Sequence, residues 1–142
     1  MREWKPHSFE KLSILTDYLE TFANASSRAA NRVYLDAFAG ETLNRIEGTD
    51  RTFAGSAETA LAVDPPFTHI RLFERSRKRV GELSGLVAGR PNARVVQGDC
   101  NVTIPVALAS LPVQAPTFAF LDPDGLQVDW ATVKAIADHK RK

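Results

Sequence analysis

The sequence predicts an α/β domain built on an open parallel sheet. Three observations carry that prediction. Four short runs rich in β-branched or aromatic residues recur along the chain, each followed by turn residues. Amphipathic helical stretches separate these runs, and strands alternating with helices give a parallel sheet. Finally, an acidic residue stands at or near the end of every run: Asp36, Glu74, Asp99 and Asp122.

Taken in order, residues 8–23 place Phe9, Leu12, Leu15, Leu19 and Phe22 at spacings of three and four, the stripe of an amphipathic helix. Ser8 is its expected N-cap, after the break at Pro6. Residues 24–31 are small and polar and read as a loop. The first strand, Val33-Tyr34-Leu35-Asp36-Ala37-Phe38, ends in Ala39-Gly40. Residues 41–54 read as a polar insertion before a short helix at 56–63, with Ser56 placed to cap it. The second strand, His69-Ile70-Arg71-Leu72-Phe73, ends in Glu74. A helix at 76–88 carries Val80, Leu83, Leu86 and Val87 on one side. The third strand, Ala93-Arg94-Val95-Val96-Gln97, ends in Gly98-Asp99. A helix at 102–111 follows, with Pro105 expected near its start. The fourth strand, Thr117-Phe118-Ala119-Phe120-Leu121, is apolar on both faces, as a buried parallel strand should be. A helix at 129–139 carries Trp130, Val133, Ile136 and Ala137 on one side. Trp4 and Trp130 are expected in the core or an interface.

A length of 142 residues bounds one domain, 1–142, with the helix at 8–23 preceding a sheet region at 33–142. A composition 44% hydrophobic and 25% charged excludes a disordered tail or a coiled coil. No apolar run approaches the ~20 residues that span a bilayer. The first residues lack the apolar core of a signal peptide. One cysteine, Cys100, cannot form an internal disulfide, so a cytoplasmic protein is expected. With 18 basic against 17 acidic residues, charge alone does not announce a nucleic-acid binder. His7, His69 and His139 have no metal-ligand spacing, and no metal site is expected.

In an open parallel sheet, ligands bind beyond the carboxyl ends of the strands. Gly40 permits positive φ and close backbone approach, so the turn after the first strand either cradles a nucleotide or simply ends the strand. Glu74 would accept hydrogen bonds from both ribose hydroxyls, or be a solvated surface glutamate. It lies further from Asp36 than the ~20 positions of the dinucleotide fingerprint, the excess being the stretch 41–54. Asp99 would reach an adenine amino group, although an Asx turn explains Asp99 and Asn101 equally well. Cys100 by itself reads as a small buried hydrophobe.

The run Asp122-Pro123-Asp124-Gly125 has three readings. In one, the Asp122 carboxylate and Pro123 carbonyl accept the protons of a substrate amine and aim its lone pair at an electrophile. In another, the hydrophobic strand followed by D-x-D-G resembles the haloacid dehalogenase superfamily of phosphohydrolases. Asp122 would then attack phosphorus and Asp124 would serve as acid–base. The third is a chain-reversing turn. Arg71, Arg75, Arg77, Lys78 and Arg79 form a local basic cluster, fit to meet phosphate or to face solvent.

The order of these features resembles the N-terminal portion of the three-Cys-motif partner protein family. The resemblance rests on Trp4, Lys-Leu-Ser-Ile-Leu-Thr-Asp-Tyr-Leu at 11–19, Tyr34-Leu35-Asp36-Ala37-Phe38-Ala39-Gly40, Gly55-Ser56-Ala57, Phe73-Glu74, Gly98-Asp99-Cys100-Asn101 and Phe120-Leu121-Asp122-Pro123-Asp124-Gly125. It implies a Rossmann-like S-adenosylmethionine-dependent methyltransferase. By that resemblance, Asp36 and Gly40 line the methionine end of the cofactor, Glu74 binds the ribose and Asp99 the adenine edge. Phe38 and Cys100, within the same motifs, complete the expected cofactor-binding set. Asp122 and Pro123 would hold the methyl acceptor, with Asp124 beside them as the third expected catalytic residue. An amine of nucleic acid is the expected acceptor, and a three-Cys-motif protein the expected partner. Glu41 and Asp124 stand where the family has proline and an aromatic residue, which raises the alternative of an inactive binding subunit with the same fold. Four strands also make an incomplete sheet of this type. The sequence therefore predicts the cofactor-binding half, its open edge at 117–121 covered by further chain, a second copy or a partner.

Overall fold

The computed structural model describes residues 2–4, 6–37, 39–40, 43–46, 48, 52–121 and 128–139. The elements run β1 (Arg2–Trp4), α1 (Pro6–Ala25), β2 (Val33–Asp36), β3 (Leu43–Ile46), β4 (Thr52–Ala54), α2 (Ser56–Leu61), β5 (His69–Glu74), α3 (Arg77–Val87), β6 (Ala93–Gln97), α4 (Cys100–Leu108), β7 (Thr117–Phe120) and α5 (Trp130–His139).

The four predicted strands form one parallel sheet in the order β6-β5-β2-β7. In chain order this is third, second, first, fourth, the Rossmann-like arrangement, preceded by a helix as expected. The sheet is open. Side chains alternate between its faces. One face carries Tyr34, Ile70 and Leu72, packed beneath Leu12, Leu15 and Leu19 of α1, Ala57 and Ala60 of α2 and Leu83 of α3. The other carries Val33, Leu35 and Phe73 against Cys100, Ile104 and Leu108 of α4, with Ala135 and Ile136 of α5 beside them. Each fully buried leucine stabilises the fold by roughly 1.5–3 kcal/mol. Phe22 links α1 to the sheet, its ring 5.9 Å from Phe67 and 5.6 Å from Phe118.

Several local expectations change. Helix α1 begins at Pro6, so Ser8 lies inside it and is not its cap. Proline suits a first helical position because that N–H has no intrahelical partner. The cap of α2 is Gly55, not Ser56. Helix α4 starts at Cys100 because Asp99 caps it, which leaves Pro105 in the helix interior. The buried row Cys100, Ile104 and Leu108 offsets the loss of that backbone donor. Trp130 is 76% exposed, which excludes the core and leaves the interface alternative of that expectation. The outer side of α4 also presents Val102 and Val106 to solvent.

The stretch 41–54 is more than a polar insertion. It contains β3 and β4, which pair antiparallel, and β3 also pairs in parallel with β1. A second, three-stranded sheet of order β1-β3-β4 results.

Candidate functional site

The order of the main sheet reverses between β2 and β7, so the topological switch point lies at their carboxyl ends. Ligands bind at such points in open α/β sheets. There the backbone is laced from strand to strand. Ala37 N–H donates to Phe120 O at 3.1 Å, Ala39 N–H to Phe73 O at 3.2 Å and Gly98 N–H to Glu74 O at 3.0 Å.

Asp36 is completely buried. Its Oδ2 accepts from Tyr34 Oη at 3.0 Å and from Ser56 Oγ. A buried carboxylate is costly unless hydrogen-bonded, and these two hydroxyls meet that need. This is why Ser56 does not cap α2: its hydroxyl is engaged below the helix. Burial, then the nearby charge of Asp36, pushes the Tyr34 phenol well above its ordinary value, so it stays a neutral donor.

Glu74 closes the rim. Its Oε2 accepts from Gly40 N–H at 3.0 Å and its Oε1 from Ser76 N–H at 3.0 Å. Gly40 has φ 65°, the left-handed conformation that glycine adopts freely. Arg79 Nη1 lies 3.9 Å from Oε1. Although Glu74 is only 8% exposed, each carboxylate oxygen retains a further acceptor site.

Asp99 lies at the end of the neighbouring strand and caps α4, its Oδ1 accepting from Asn101 N–H at 3.0 Å. Gly98 before it has φ 137°, and a Cβ there would lie 2.9 Å from Thr103 Cγ2. Cys100 is buried, and burial followed by the Asp99 charge pushes its thiol up, which disfavours the nucleophilic thiolate.

The structure thus brings Asp36, Gly40, Glu74, Asp99 and Cys100 to one edge of the sheet. Phe38, Glu41, Asp122, Pro123, Asp124 and Gly125 lie outside the described residues. Three participants were not legible as such. Tyr34 and Ser56 hold Asp36, and a buried acid within a strand is the signal that donors must exist nearby. Asn101 Oδ1 accepts from Asp129 N–H and from Thr132 Oγ1, both at 2.8 Å, which fastens the start of α5 to α4. No local pattern announces a bond across 28 positions.

Among the described residues no helix is long and apolar enough to cross a membrane. No group of three metal-ligating side chains occurs among them either. Compared with known proteins, the chain matches no family model and no curated protein.

Proposed function

We propose that the chain is a cytoplasmic S-adenosylmethionine-dependent methyltransferase-like protein that methylates an amino group of nucleic acid together with a protein partner. The observation that carries this reading is the switch point between β2 and β7, with Glu74 at the carboxyl end of the adjoining β5 and Asp99 after β6, one strand further out. The residues there fit such a cofactor. Glu74 keeps acceptor capacity for ribose hydroxyls. Asp99 is half-buried and spends only Oδ1 on the α4 cap, leaving Oδ2 for an adenine amino group. When bound, the cofactor supplies a methyl group activated on a sulfonium. The chain's own contribution is to orient: Glu74 fixes Gly40 and the start of α3, while Asp36 braces the turn from beneath. Asp122 and Pro123 would accept the protons of the substrate amine, a positioning effect of the kind that supplies much of the rate in group transfer.

A second reading, a non-catalytic binding subunit with this fold, is favoured by one observation. The Asp36 carboxylate is sealed and engaged by Tyr34 and Ser56, which leaves it out of reach of a ligand. Calorimetry with S-adenosylhomocysteine separates the two. Binding that is lost in Glu74→Ala, with folding verified by circular dichroism, supports the cofactor site. A folded chain that takes up no ligand at millimolar concentration sinks it.

A further inference from the structure

The face of the sheet under α4 holds a group of basic side chains that the rim chemistry does not use. Arg71 on β5 and Arg94 on β6 are direct register partners. Neighbouring strands lie about 4.8 Å apart, so the two side chains leave the same face side by side. His69 is two residues before Arg71 and therefore shares that face. The register partners of His69 and Arg71 on β2 are Val33 and Leu35, which pack beneath α4.

Like charges placed directly opposite one another on a sheet destabilise it. Among the described residues no carboxylate offsets them. Neither arginine forms an ion pair among the described residues. The chain from Asn101 to Leu121, which supplies α4 and its following loop, contains no charged residue at all. On α5 the acid Asp138 is taken by Lys134, at 2.6 Å.

Arg71 is the unusual member, because it is only 7% exposed. Its Nη1 donates to Ile70 O at 3.0 Å. The rest of its guanidinium finds no protein acceptor among the described residues, yet is not sealed from solvent. Arg94, one strand further out, is exposed. An arginine held in place by packing, with free donors beside a second guanidinium, is pre-organised for the bidentate recognition of an oxyanion.

We infer that Arg71, Arg94 and His69 form a binding site for a phosphate group on the sheet face flanking α4, remote from the carboxyl-end rim. The inference does not depend on the methyl-transfer reading. Burial, followed by the charge of Arg94, holds Arg71 below its ordinary value. His69 is lowered by burial, then by Arg71 and Arg94. A bound anion would relieve that mutual repulsion. The phosphate arrives either free or as the phosphodiester of a nucleic acid strand, and the chemistry of recognition is the same.

Calorimetry in phosphate-free buffer tests this with two probes, inorganic phosphate and a short single-stranded oligonucleotide. Arg94 is exposed, so Arg94→Gln retains the fold, as circular dichroism would verify. Lys78→Gln, on the exposed start of α3, controls for diffuse attraction. The expected result is binding of at least one probe, weakened tenfold or more by Arg94→Gln and unchanged by Lys78→Gln. Binding confined to inorganic phosphate identifies a free anion as the source. Binding of the oligonucleotide, with a salt dependence shallower by about one in Arg94→Gln, identifies a nucleic acid backbone. Absence of binding by both probes overturns the inference. So does binding that survives Arg94→Gln, or that Lys78→Gln weakens equally.

Discussion

Within the six residues of β5 the protein handles charge in two opposite ways. At the carboxyl end, Glu74 meets backbone donors on both oxygens, and on the neighbouring strand Asp36 meets two hydroxyls. In the middle of the strand, Arg71 stands beside Arg94 with no carboxylate in answer among the described residues. The acids are what a sequence reader notices, because turn residues follow them. Yet their first task is to hold loops together. The arginines lie inside a strand pattern and look like surface, yet neither forms an ion pair among the described residues.

Substitutions on either side sharpen this contrast. The largest expected effect is at Asp36. Asp36→Ala strands the Tyr34 and Ser56 hydroxyls in the interior and costs about 3 kcal/mol in urea unfolding. A loss below about 1 kcal/mol would show that the buried acid is not structural. Glu74→Gln keeps one acceptor but turns an amide donor toward the other backbone N–H, at a cost of about 2 kcal/mol by the same measurement. The smallest effect has the opposite sign. Arg94→Gln removes a like-charge neighbour and raises stability by about 0.5 kcal/mol in buffer without phosphate. If it destabilises instead, the arginine pair is balanced by an interaction within the protein, and the contrast fails.

The legibility of the fold follows the same physics. The four main strands were readable because β-branched and aromatic residues dominate them and turn residues follow. The helices were readable from their stripes, although caps moved their starts. Pro6 begins α1 and Cys100, capped by Asp99, begins α4, each two residues earlier than periodicity alone indicates. The second sheet was hidden. Its strands are three or four residues long, Leu43-Asn44-Arg45-Ile46 has no sustained alternation, and its parallel pairing with β1 joins distant parts of the chain. At the rim, the acids were visible and their partners were not, since Ser56 and Asp36 are 20 positions apart. Trp130 lies outside the core because residue type indicates burial only on average.

The edge formed by β7 has a practical consequence. Among the described residues β7 pairs with β2 alone, and its four residues, Thr117-Phe118-Ala119-Phe120, include no lysine, glutamate or proline. Natural sheets use such residues to keep edges from joining. An edge without them makes storage of the purified chain a question of dilution more than of temperature. Encounter between two copies rises with the square of concentration, whereas unfolding of one copy does not.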